Sequence, residues 1–138
     1  MRILGLDVGE KKIGISLSDP TGIIAQGLKL YRRDVLRNDL AELKKIVDDY
    51  NVKEIVIGLP IDLNGGIGKK AQEISAFFEE VKKHFTLPVV LWDERFSTNE
   101  AHQIFEMANV SHRKRKPFLD VMASQLILQG YLDAHKTA

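Results

Sequence analysis

The stretch Arg2–Gly14, RILGLDVGEKKIG, decides how the rest of the chain is read. Ile3, Leu4, Leu6 and Val8 give it the apolar density of a strand that enters a core. Asp7 interrupts that run, and Gly9-Glu10-Lys11 follows as a turn signal. Lys12–Asp19, KIGISLSD, alternates apolar with small or polar residues, as a hairpin partner does. Asp19-Pro20-Thr21-Gly22 is a second turn, and Ile23–Arg32, IIAQGLKLYR, reads as a third strand. The chain therefore opens on an antiparallel meander.

Beyond the meander the period changes. Leu36, Leu40, Leu43, Val47 and Tyr50 recur at helical spacing, with Asp34 as the expected cap of a helix over 35–50. Glu54–Pro60 is a short apolar run, as in a strand buried on both faces. A glycine-rich loop follows, and then Ile67, Ala71, Ile74, Phe78, Val81 and Phe85 mark a second helix. Pro88–Glu94 reads as another buried strand. Ser97-Thr98-Asn99-Glu100 has capping-box spacing and starts a helix that turns Ala101, Ile104, Phe105 and Ala108 inward. Pro117 is placed to begin a last helix that runs to about Asp133. Strand–helix–strand units are parallel. The expected architecture is α/β: a five-stranded mixed sheet with helices on both faces, in one domain over residues 1–138.

The composition is that of a globular chain, with 44% hydrophobic and 28% charged residues among 138. Twenty Lys and Arg against 19 Asp and Glu leave a formal charge of +1, so any affinity for nucleic acid must come from local clustering. There is no cysteine, which excludes disulfides and thiolate metal sites. His84, His102, His112 and His135 lack close ligand spacing, so a metal would have to be held by carboxylates. No run has the length of a membrane span or a signal peptide, and a cytoplasmic protein is expected.

Three acidic positions stand out. Asp7 ends the first strand, Asp93-Glu94 ends the last, and Asp120 lies early in the last helix beside core positions. If the first and last strands lie side by side, these acids converge at one edge of the sheet. Oxygen ligands without histidine or thiol suit Mg²⁺ or Mn²⁺. Two such ions about 4 Å apart clamp a phosphodiester for in-line attack. Each acid also has a plainer role. Asp7 can pair with Lys11, Lys12 or Arg95, Asp120 can serve the helix dipole, and one of Asp93 and Glu94 must face away because neighbours on a strand do.

Four blocks, LGLDVGEKKIGISLSD, IVIGLPIDLNGGIGKKA, WDERFSTNEA and DVMASQLILQGYL, follow one another as in the YqgF/RuvX family, which the chain resembles over nearly its whole length. The family groups bacterial Holliday-junction-resolvase-like proteins described as nucleases of pre-16S ribosomal RNA. The resemblance implies an RNase H-like fold and Mg²⁺- or Mn²⁺-dependent phosphodiester hydrolysis by a two-metal mechanism. It implies Asp7, Glu94 and Asp120 as catalytic and metal-binding residues, and it selects Glu94 over Asp93. Its substrate class is structured RNA, with 16S rRNA 5′-end processing foremost and branched DNA as the alternative. Asn64 and Ser124 stand where the family more often has Asp and Ala.

Basic residues cluster around these acids. Lys11 and Lys12 follow the first strand, and Arg95 follows Glu94. Lys69 and Lys70 end the loop DLNGGIGKKA, which is no Walker loop, since Leu63 stands where that motif needs glycine. His112-Arg113-Lys114-Arg115-Lys116 is the densest run and is expected to be a substrate-contacting loop. All are candidate nucleic-acid contacts, while Trp92 continues an apolar strand and reads as core. Two rival functions remain. One is a non-catalytic nucleic-acid-binding module. The other is a phosphotransferase, since LDVGEKKIG is similar to the first phosphate loop of actin-like ATPases, although those enzymes close two such domains over ATP. A monomer or a homodimer is expected, because symmetric junction cleavage requires two sites.

Overall fold

Strict alternation along the first strand sets the two layers of the molecule. In β1 (Arg2–Val8), Leu4, Leu6 and Val8 enter one apolar core and Ile3 enters another on the opposite side. A computed structural model describes residues 1–60, 68–93 and 112–135, and only the backbone of 112–118. Strand β2 (Lys12–Ser18) pairs antiparallel with β1, and β3 (Ala25–Arg32) pairs antiparallel with β2. Strands β4 (Val52–Leu59) and β5 (Val89–Asp93) extend the sheet in parallel, giving the order β3-β2-β1-β4-β5.

Helices α1 (Leu36–Tyr50) and α2 (Lys69–His84) cover one face. Their Leu40, Leu43, Ile46, Val47, Ile74, Phe77 and Val81 join Leu4, Leu6, Ile13, Ile15, Ile55 and Ile57 in the larger core. Helix α3 (His112–Ala134) covers the other face, where Ile127, Leu128, Tyr131 and Leu132 meet Ile3 and Val56. No described helix is long and apolar enough to cross a membrane.

The meander, the mixed five-stranded sheet and the helices on both faces match the expectation from sequence. Several details differ. β1 is the central strand and β4 separates it from β5, so Asp7 and the end of β5 are not neighbours at an edge. Parallel strands lie about 4.8 Å apart, which sets β1 and β5 about 10 Å apart. Ile23 and Ile24 are half exposed and precede β3. The Asp19 carboxylate accepts both of their backbone N–H groups at 2.8 Å, which takes those groups out of the ladder. Asp34 does not cap α1 through its side chain, since Val35 is the N-cap and Asp34 instead accepts a bond from Asn38 at 2.7 Å. Leu36 and Tyr50, at the ends of α1, are exposed rather than core. In α2 Phe77 is buried and Phe78 only partly so. β5 is half-buried rather than buried. Helix α3 begins at His112, so the run 112–116 is helical backbone and not a loop, and Pro117 lies inside the helix rather than at its start. The helix expected after Ser97 and most of the glycine loop lie outside the described residues.

Candidate active site

Where α3 crosses β1 and β2, the sheet is built from small residues. Gly5 and Asp7 share this face of β1 with Ile3, while Gly14, Ser16 and Ser18 share it on β2. Asp7 is paired directly with Gly14. A Cβ on Gly14 would lie 2.1 Å from the backbone oxygen of Asp120, and one on Gly27 would lie 2.6 Å from Val121 Cγ1. A Cβ on Gly5 would meet Ser16 Oγ at 2.4 Å and Leu128 Cβ at 2.8 Å. No side chain fits in these gaps, so glycine is what lets a helix backbone rest on the strands.

Serine then fixes the helix in place. Ser124 Oγ donates to the Gly5 carbonyl at 2.9 Å and lies 2.8 Å from Ser16 Oγ, in a fully buried contact. Gln125 donates to the Ala25 carbonyl at 3.2 Å, and Ala25 donates its N–H to Gln129 at 2.9 Å. Each polar atom in this seam meets another, as burial requires. Within α3, Ser124 lies one turn beyond Asp120, so the seam that anchors the helix also sets the position of Asp120.

Asp7 and Asp120 line one cavity of about 340 Å³, together with Gly9, Glu10, Lys11, Lys12, Gly14 and Lys70. The structure thus brings together two of the three acids expected from the sequence, and Lys11, Lys12 and Lys70 with them. Glu94 and Arg95 lie outside the described residues, as do the side chains of Arg113, Lys114, Arg115 and Lys116. Asp93 is exposed and shares its face of β5 with Val89 and Leu91, which belong to the α1–α2 core. It therefore points away from the face that carries Asp7.

The lining of this cavity suits a hard cation. It offers carboxylate oxygens and no imidazole, which is the donor chemistry of Mg²⁺ or Mn²⁺. Three carboxylates line it, those of Asp7, Glu10 and Asp120. Among the described residues no three His, Cys, Asp or Glu side chains group closely enough to hold an ion.

One buried acid escaped the sequence reading. Asp39 of α1 is completely buried. It accepts hydrogen bonds from Tyr31 Oη at 2.9 Å, Arg33 Nε at 3.1 Å and the Asp34 N–H at 2.8 Å. Arg33 in turn donates from Nη1 to the Gly9 carbonyl at 2.9 Å, and its backbone N–H reaches Lys11 O at 2.8 Å. Burial, then the Asp39 carboxylate, push the Tyr31 hydroxyl up to about 12. Asp39 follows Arg37 and Asn38 in sequence, and only its helical phase between Val35 and Leu43 hinted at an inward position. At the other end of the sheet Trp92 packs edge-on against Tyr131, ring centres 5.3 Å apart, in keeping with a core role.

Comparison with known proteins adds the following. A family model described as "RuvX: Holliday junction resolvase" matches residues 1–134. A protein of Desulforamulus reducens, provisionally named a pre-16S rRNA nuclease, is 48% identical over 134 residues, which is 97% of this chain and 98% of that protein. A Thermoanaerobacter pseudethanolicus protein of the same name is 45% identical over 137 residues, 99% of each chain. Among solved structures, Thermus thermophilus RuvC bound to a Holliday junction aligns with TM-score 0.60 at 12% identity, over 98% of this chain and 96% of that one. Fowlpox virus resolvase with Holliday junction DNA aligns with TM-score 0.62 at 14% identity, over 99% and 100%. At such identities these two establish the fold, which is RNase H-like.

Proposed function

The chain belongs to the RuvX family, and from that membership we propose that it is a metal-dependent nuclease acting on structured nucleic acid, with ribosomal RNA precursor as its substrate. The observation that carries the proposal is the cavity shared by Asp7 and Asp120. A strand-end carboxylate and a helix carboxylate that share one cavity with Lys11, Lys12 and Lys70 suit a divalent cation and the phosphate it would bind.

In this reading Asp7, Asp120 and Glu94 would hold Mg²⁺ or Mn²⁺. Bound there, the metal would supply Lewis-acid chemistry and a water nucleophile for phosphodiester hydrolysis by a two-metal mechanism. Glu94 is preferred to Asp93 because the family resemblance selects it and because Asp93 shares its face of β5 with Val89 and Leu91, away from Asp7. Lys11 and Lys12 flank the carboxylates and balance the charge of an approaching phosphate. The glycine at position 14 keeps the Asp120 backbone against β2, so the carboxylates are preorganised before substrate arrives.

Residues 1–138 act as one domain, in line with relatives of matching length. RNA is favoured over branched DNA because relatives with almost half of their residues in common carry the rRNA name, whereas the junction-bound resolvases share only the fold. The test is cleavage of a 5′-extended 16S precursor RNA and of a four-way DNA junction, each with Mg²⁺ or Mn²⁺. Asp7→Asn is expected to lower cleavage by on the order of 10²–10³-fold or more while leaving the melting temperature within a few degrees. Undiminished cleavage by that variant would sink the carboxylate assignment. Binding that survives EDTA, with no cleavage by the unmodified protein, would establish the binding-module alternative instead.

A further inference from the structure

Beside the carboxylate cavity lies a second, of about 510 Å³, lined by Val8, Gly9, Glu10, Arg33, Lys69, Lys70, Glu73 and Ile74. The two share Gly9, Glu10 and Lys70, so only the β1–β2 turn and one lysine separate them. We propose that this second cavity is a subsite for a backbone phosphate of the bound strand, next to the linkage being cleaved, with Arg33, Lys69 and Lys70 as its cationic wall. The proposal rests on the nuclease reading and adds where the strand runs.

Three observations carry it. First, Arg33 is held rigidly: Nε is bonded to the buried Asp39, Nη1 to Gly9 O, and the guanidinium lies 4.9 Å from the centre of the Phe77 ring. Its Nη2 has no hydrogen-bond partner among the described residues, and the side chain is still 23% exposed where it lines the cavity. A guanidinium fixed on two sides, with a donor left over, is suited to a phosphate oxygen. Second, Lys69 and Lys70 occupy the first turn of α2, where the helix dipole disfavours cations, and no acid stands there to offset them. Exposed lysines placed against the dipole are explained by an anion between them. Third, the cavity adjoins the acids that would hold the metal, as a continuous strand requires. Glu10 and Glu73 also line it and temper its charge, which favours a phosphodiester over a more highly charged ligand.

The test measures binding in EDTA, apart from cleavage, with two fluorescein-labelled probes: an RNA hairpin carrying a 5′ single strand, and a four-way DNA junction. Lys69→Ala/Lys70→Ala is expected to weaken binding on the order of tenfold, and to flatten the slope of log affinity against log salt by about 0.7–0.9, the value for one phosphate. Lys69→Ala alone, which lines only the second cavity, is expected to flatten it in the same direction by less. Replacing single phosphates by neutral methylphosphonates should find one linkage near the cleaved one at which wild-type binding falls and the lysine variant's does not. The probe that shows this identifies RNA or DNA as the source of the phosphate. Wild-type affinity and slope in the double variant, a methylphosphonate effect shared equally by both proteins, or no binding of either probe by the wild type would each overturn the subsite. The two readings fail separately: Asp7→Asn that cleaves normally defeats the nuclease site, while lysine-dependent binding would still stand.

Discussion

On the α1–α2 side, β1 offers Leu4, Leu6 and Val8 to a wide apolar core; on the α3 side, the same strand offers Ile3, Gly5 and Asp7. The first face is filled by large side chains that hold the helices at the ordinary distance of a packed layer. The second keeps a smaller apolar cluster but turns to glycine and serine where α3 crosses β1 and β2, and there a helix backbone comes down against it. The larger apolar core lies on one side of the sheet and the close backbone approach on the other. The carboxylates belong to the side where position is most tightly constrained and least dependent on apolar filling.

Changes on each face should therefore separate folding from function. Leu43→Ala, in the larger core, is expected to cost about 2–5 kcal/mol in urea unfolding while activity per folded molecule is retained. A comparable loss of specific activity would show that the faces are coupled. Gly14→Ala puts a Cβ into the Asp120 backbone and is expected to cost about 1–3 kcal/mol. It should also lower cleavage by roughly 10²-fold, because a shift of about 1 Å at a catalytic group suffices for that. Normal activity in a folded Gly14→Ala protein would remove the close approach from the argument. Ser124→Ala deletes a buried hydroxyl but leaves Ser16 bonded to the Ser124 carbonyl at 3.0 Å. The expected loss is about 1 kcal/mol, read from the urea midpoint.

The smallest effect compares one tyrosine from each face. Burial comes first, then a carboxylate partner, in raising both Tyr31 and Tyr131 from an ordinary 10.0 to about 12. Tyr31 bonds to Asp39, and Tyr131 donates to Glu54 at 2.9–3.0 Å. The neutral phenol is thus favoured by folding. Its contribution is complete below about pH 10 and is lost as pH rises towards 12, because the unfolded chain gives up the proton first. Thermal melts between pH 9 and 11.5 should fall for the wild type and fall less for either Tyr→Phe variant. Equal slopes would show that neither hydroxyl titrates with folding.

Much of this was legible along the chain. Alternation of apolar and small residues in Lys12–Ser18 gave the hairpin, and helical spacing gave the layer of α1 and α2. Asp7 and Asp120 were legible as misfits, carboxylates set in apolar surroundings. Other features were not. Asp39 is hidden because its three donors come from Tyr31, Arg33 and Asp34, which a pattern of apolar residues does not register. The start of α3 at His112 was missed because a run of cations resembles a solvated loop, and because Pro117 is a common first residue of a helix.

The sequence by itself determined which residues share a face, since the periods of strand and helix are local properties of the backbone. It also determined the donor chemistry: acids, no thiol, and lysines close by. Only the tertiary structure decided which strand neighbours which. It placed β4 between β1 and β5, and so put Asp7 at the centre of the sheet rather than at its edge. It also decided that α3 meets β2 at Gly14, which brings Asp120 to the cavity of Asp7. Strand order and helix docking are set by the total burial that each arrangement achieves. That sum runs over residues far apart in the chain, and no local window contains it.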